Sequence, residues 1–210
     1  YAQRMLINPR LSDQSIELDG WFLNGAGQAR DCELKARVRS YPTPFSKGPL
    51  CDTTIALGQT KFNPGLNRRQ FKVPLANPVY WSHENPYLYE ILLLADNKVV
   101  GMERFGFRSF QADGVDLKLN GVKVRLFGVY GEQFNYLPEI AVTDRHRLLK
   151  KTLLSARAHN KNYYYPTAKP LPRIFYRYFD EMGLLVYDEW AAAHHWYPRN
   201  LPVESEPDLG

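Results

Sequence analysis

The hydrophobic period of this chain changes once along its length, and that change narrows the folds open to it. In the first half, Cys32, Leu34, Ala36 and Val38 alternate with Glu33, Lys35, Arg37 and Arg39. A period of two marks a strand with one buried and one wetted face. Residues 15–23, 69–75, 87–95 and 99–110 are further strand candidates, rich in β-branched and aromatic residues. Breaks such as Asn24-Gly25-Ala26-Gly27, Tyr41-Pro42-Thr43-Pro44, Asn63-Pro64-Gly65 and Asn85-Pro86 separate them. Short strands with such breaks predict an antiparallel sandwich over residues 1–112.

From residue 113 the pattern is different. Residues 117–124 form two short alternating runs around Asn120-Gly121, a hairpin signal because both central residues of a type I′ turn need positive φ. A strand is expected over 124–130. Thr143 is placed to cap a helix, with Asp144 in its first turn. Leu148, Leu149, Thr152, Leu153 and Ala156 follow at helical spacing. Residues 163–165 read as a second strand. Pro172 suits a first helical position, Ile174, Phe175, Tyr178, Phe179 and Met182 make an apolar stripe, and Gly183 suits the C′ position. A third strand over 184–187 runs into Asp188-Glu189-Trp190. Strands alternating with helices predict parallel pairing.

Length sets the scale of this second unit. The chain has 210 residues. That holds a sandwich of about 100 residues and leaves too little for a complete (β/α)₈ barrel of about 250. The expected fold class is therefore mixed: an antiparallel sandwich over 1–112, then three alternating β/α units over 113–210.

Composition removes several functions. Lys plus Arg number 27 and Asp plus Glu 22, interspersed without a basic stripe, so nucleic acid is not an expected partner. No apolar run reaches 18 residues, so no membrane-spanning helix is expected. Cys32 and Cys51 are too few for a disulfide framework, form no CxxC pair, and leave a single bridge between them open.

Four stretches together resemble glycoside hydrolase family 2, the beta-galactosidase, beta-glucuronidase and beta-mannosidase family. They are Trp81-Ser82-His83-Glu84-Asn85-Pro86-Tyr87-Leu88-Tyr89; Arg104-Phe105-Gly106-Phe107-Arg108 followed by Leu119-Asn120-Gly121; Leu126-Phe127-Gly128-Val129-Tyr130; and Phe175-Tyr176 through Asp180-Glu181-Met182-Gly183 to Tyr187-Asp188-Glu189. Their order and spacing match the family over nearly the whole chain. The resemblance implies an immunoglobulin-like antiparallel sandwich over 1–112 followed by the first three β/α units of a (β/α)₈ barrel over 113–210, and a retaining exo-glycosidase on β-linked sugars that needs no cofactor. It also implies a jelly-roll domain before Tyr1 and further barrel strands after the third.

Retaining chemistry needs two carboxyl groups about 5–5.5 Å apart. The family carries both, as glutamates, on its fourth and seventh barrel strands, so no residue of this chain is assigned as catalytic. Asp188 and Glu189 end a strand, where barrel sites sit, yet neighbours on a strand point to opposite faces. By resemblance Asp188 and Glu189 belong to a supporting shell; as the alternative, they join Glu132, Tyr165 and Trp190 as the candidate sugar contacts. The chain departs from the family at the second barrel strand, where Tyr165, Ala168 and Lys169 stand for the family's Arg, His and Tyr and only Pro170 matches. Tyr164 is expected to pack inward. His195 matches a metal-binding His of some beta-galactosidases, but Ala193 replaces its glutamate partner, so no metal site is expected. A non-catalytic carbohydrate-binding or interaction module and a degenerate inactive homologue are the alternatives. Three β/α units leave an open sheet edge, so self-association of the isolated chain is expected.

Overall fold

The computed structural model describes residues 1–130, 142–166, 171 and 173–188. Seven strands come first: β1 (Ala2–Arg10), β2 (Ser15–Asn24), β3 (Arg30–Tyr41), β4 (Asp52–Phe62), β5 (Gly65–Pro74), β6 (Leu88–Ala95) and β7 (Lys98–Gly106). They form two antiparallel sheets, β1-β2-β5 and β4-β3-β6-β7. Alternation along each strand sends one set of side chains inward. Ile16, Leu18, Phe22 and Val73 from the first sheet meet Leu34, Ala36, Val38, Ile91 and Leu93 from the second in a single core. The three-on-four antiparallel sandwich agrees with the sandwich expected from the alternation and is consistent with the immunoglobulin-like arrangement that the resemblance implies. Cys32 and Cys51 are both free thiols, so the bridge left open by the sequence does not form.

Several expected boundaries move. Strands β1 and β4, absent from the sequence reading, occupy the outer edges of the two sheets. The expected strand over 99–110 stops at Gly106 and resumes as β8 (Phe110–Asp113). Trp81 causes the break: its N–H donates to Phe107 O at 3.0 Å, and a Cβ on Gly106 would lie 2.8 Å from Trp81 Cβ. Strand β8 pairs with β9 (Asp116–Leu119), and β9 with β10 (Val122–Val124). The β9–β10 turn has Asn120 at φ 53° and Gly121 at φ 80°, the two positive values the Asn-Gly signal requires. The division between residues 112 and 113 falls within β8.

A further sheet is parallel. It contains β11 (Gly128–Tyr130), β12 (Tyr163–Tyr165) and β13 (Leu185–Val186) in that order. Helix α1 (Val142–Ala158) links the first two strands and α2 (Arg173–Met182) the second two. The expected run over 124–130 is divided between β10 and β11. Across that gap the Asn162 side chain donates to Arg125 O and accepts from Phe127 N, both at 2.9 Å, in place of a strand ladder. Helix α1 is already formed at Val142, so Thr143 lies in its first turn and is not the flanking cap residue. In α2 the buried face is Phe175, Phe179 and Met182; Ile174 of the expected stripe is exposed. Gly183 adopts φ 74° and ends the helix as its C′ residue.

The sandwich caps α2. The last four carbonyls of a helix lack intrahelical partners. Trp81 Nε1 donates to Asp180 O at 2.8 Å, Arg157 Nη1 to Met182 O at 2.8 Å, and Leu184 N to Phe179 O at 2.9 Å. One turn earlier, Arg104 Nη2 donates to Arg177 O at 2.8 Å. Trp81, Leu88, Leu119 and Val124 bury a small core here, with Leu185 of β13 packed against it. No described helix is long and apolar enough to cross a membrane.

Candidate functional site

The carboxyl end of the parallel sheet is where the described chemistry collects. Alternation along β12 separates its three tyrosines. Tyr164 points to the helices, is fully buried, and stacks on Phe179 with ring centroids 4.9 Å apart, as its inward packing required. Burial pushes its phenol well above the ordinary tyrosine range. Tyr163 and Tyr165 share the other face. The Tyr163 ring lies over Gly128, where an added Cβ would overlap it at 2.0 Å, so only glycine fits this point of β11.

Tyr165 is half-buried and meets Tyr187 edge-to-face, centroids 5.3 Å apart and planes at 73°. Tyr187 is exposed and Asp188 follows it into solvent. The Tyr176 hydroxyl, from α2, donates to Asp188 Oδ2 at 2.5 Å and accepts from Leu171 N at 3.0 Å. Burial, then the hydrogen bond to Asp188, holds the Tyr176 phenol up at about 12. The arrangement offers an aromatic pair and, at the next residue, a carboxylate tied to α2. Of the candidate contacts, Tyr165 and Asp188 thus reach the same end of the sheet. Glu132, Glu189 and Trp190 lie outside the described residues, as do Ala168, Lys169, Pro170, Ala193 and His195. Among the described residues no cluster of three His, Cys, Asp or Glu could hold a metal ion.

Sequence reasoning missed Tyr176 and Tyr187. Tyr176 lies off the apolar stripe of α2, and its hydrogen bond to a residue twelve positions away has no periodic signature. Tyr187 was read only as the end of a strand.

A second polar cluster lies on the opposite side, between α2 and the sandwich. Arg104 pairs with Glu181 and stacks on Tyr41 at 4.8 Å. Arg108 lies 4.2 Å over Trp81 and 3.3 Å from Asp180. Burial raises the Asp180 carboxyl against the opposing pull of Arg108 and Arg104. Arg157 donates to His83 O at 2.7 Å and Glu84 O at 3.0 Å as well as to Met182 O. These contacts hold the sandwich to the helices, which is a structural role.

No family model matches the chain. It is 31% identical over 185 residues to the beta-galactosidase of Psychromonas ingrahamii, covering 86% of this chain and 16% of that protein. It is 29% identical over 226 residues to beta-galactosidase 2 of Enterobacter cloacae, covering 93% of this chain and 20% of that one. Among solved structures, a GH2 beta-galacturonidase from Eisenbergiella tayi matches with a TM-score of 0.70 at 20% identity, over 91% of this chain and 33% of that chain. A beta-glucuronidase of Bacteroides uniformis matches with a TM-score of 0.70 at 19% identity, over 89% and 23%. The chain therefore spans about one sixth to one fifth of these curated relatives' length.

Proposed function

The chain belongs to glycoside hydrolase family 2, of whose members it spans a part, and on that premise we propose that it serves a retaining glycosidase acting on β-linked sugars. In this reading, residues 1–112 are the immunoglobulin-like sandwich and residues 113–210 carry the first three β/α units of a (β/α)₈ barrel. The observation that carries it is the parallel β11-β12-β13 sheet with Tyr165 and Asp188 at its carboxyl end, the end at which barrel enzymes bind substrate. Tyr165 gives an apolar face to a sugar ring and Asp188 accepts its hydroxyls. Glu132, Glu189 and Trp190 follow the strands that lead to the same end and complete the contact set. No residue is assigned to the bond-breaking carboxylate pair, which the family places on its fourth and seventh barrel strands. The chain binds sugar and orients it; it does not cleave it alone.

Two measurements test this. Methyl β-D-galactopyranoside and methyl β-D-glucuronide are titrated into the 210-residue chain and followed by two-dimensional amide NMR. Shifts confined to Tyr165, Tyr187 and Asp188 are expected for at least one sugar, and no sugar-dependent shift there refutes the reading. Nitrophenyl β-glycosides should release no nitrophenol above the buffer blank. Clear turnover would show that the chain holds a catalytic pair of its own.

A further inference from the structure

Tyr176 joins two loops at the mouth of the parallel sheet. Its ring stands in the first turns of α2, half-buried, edge-on to Phe179 with centroids 6.1 Å apart and planes at 80°. A phenol has one proton to donate and lone pairs to accept. Here the proton goes to Asp188 Oδ2 and a lone pair takes the Leu171 N–H. Leu171 ends the connection between β12 and α2, and Asp188 follows β13. One oxygen atom therefore fixes the end of one connection and the side chain of the next.

The consequence falls on Asp188. An exposed carboxylate samples several rotamers, and a ligand must freeze one of them. Tyr176 has already done so, through a charge-assisted bond. Its only proton is committed, so Tyr176 cannot itself donate to a ligand. Among the described residues Asp188 Oδ1 accepts no hydrogen bond, and the carboxylate is held in one direction. We propose that Tyr176 is a positioning residue of the sugar site: it ties the β12–α2 connection to Asp188 and presets that carboxylate to accept a sugar hydroxyl. This rests on the sugar-binding reading given above.

The test is Tyr176→Phe, which keeps the ring and deletes one oxygen. Releasing one preset side chain weakens binding by about threefold to tenfold. In NMR titrations of the full chain with methyl β-D-galactopyranoside, the variant should bind that much more weakly while the amide shifts of β2, β3 and β6 stay in place. In an Asp188→Ala background, Tyr176→Phe should change affinity no further. Unchanged affinity in the single variant, or the same loss with and without Asp188, overturns the proposal. A readout without sugar separates it from the reading it rests on. The Tyr176 ring carbon bearing the hydroxyl, followed by NMR, should titrate at a lower pH in Asp188→Ala than in the wild type, because the acceptor that favours the protonated phenol is gone. No movement means no tether, whatever the sugar does. A tether that responds in a chain that binds no sugar refutes the positioning role together with the sugar-binding reading.

Discussion

Replacing Trp81 with alanine should separate the stability of the two halves of the molecule. Trp81 is fully buried, and its cluster with Leu88, Leu119 and Val124 is distinct from the sandwich core. Removing the indole leaves a cavity worth about 3–5 kcal/mol. The bond from Nε1 to Asp180 O adds about 1 kcal/mol. Arg108, stacked at 4.2 Å and partly exposed, adds about 0.5–1 kcal/mol. The loss therefore approaches the stability of a whole small domain, about 5–15 kcal/mol. These groups bear mainly on α2, the hairpin and β13, with Leu88 reaching only the first residue of β6. The assay is native-state hydrogen exchange read by peptide mass spectrometry. Protection in α2 and β12 should collapse, while peptides from β2 and β5 keep theirs to within about 0.5 kcal/mol, the additivity error expected for sites without shared partners. Equal loss in both halves, or loss beginning in the sandwich, would refute the claim that Trp81 acts as the strut between them.

Three further outcomes follow from the same geometry. Gly183→Ala places a Cβ 2.5 Å from His83 O at φ 74°, so it should lower stability by about 2–4 kcal/mol in urea unfolding; a loss under about 0.5 kcal/mol would mean the helix end shifts freely. Asp180 is raised in the folded state by burial, so the folded protein holds its proton more tightly than the unfolded chain, and stability from this group is present below the ordinary Asp range and is lost as pH rises through the raised value. Asp180→Asn should therefore flatten the fall in stability with rising pH above about 4, measured by denaturant midpoints across pH; an unchanged slope sinks the assignment. Finally, β11 and β13 flank β12 with no further strand paired to them among the described residues, so sedimentation velocity of the isolated chain should show concentration-dependent association, and a single monomeric species at all concentrations would contradict it.

Much of the fold could be read from residue order because its causes are local. The alternation of Cys32 to Val38 depends only on which face is wet, and the Asn120-Gly121 turn only on which residues tolerate positive φ. Gly183 ended a helix for the same reason. What escaped was non-local. Strand 99–110 breaks at Gly106 because Trp81, twenty-five positions earlier, packs against it. Strand 124–130 divides because Asn162 satisfies the gap with its side chain. The site follows the same rule. Tyr165 and Asp188 were legible as strand-end residues, whereas Tyr176 was not, since only the fold brings its hydroxyl to Asp188.

The two ends of α2 explain how such a short parallel sheet is held in place. A ten-residue helix is marginal on its own. Its carboxyl end is completed by groups from elsewhere: the Trp81 indole, the Arg157 guanidinium at the end of α1, and Arg104 one turn earlier. Those cations also lie where the helix dipole is negative. Its first turns point the other way and carry Tyr176 to the mouth, where it holds Asp188. The helix therefore spans from the sandwich contact to the mouth of the parallel sheet, and its position is fixed at the end away from that mouth. Had the sandwich been an independent appendage, the α2 carbonyls would have needed caps from their own unit. Instead the sandwich supplies Trp81 and Arg104, while Arg157 reaches across to His83 O and Glu84 O of the sandwich loop. The placement of Asp188 depends in this way on Trp81, a residue of the first half that holds the opposite end of α2.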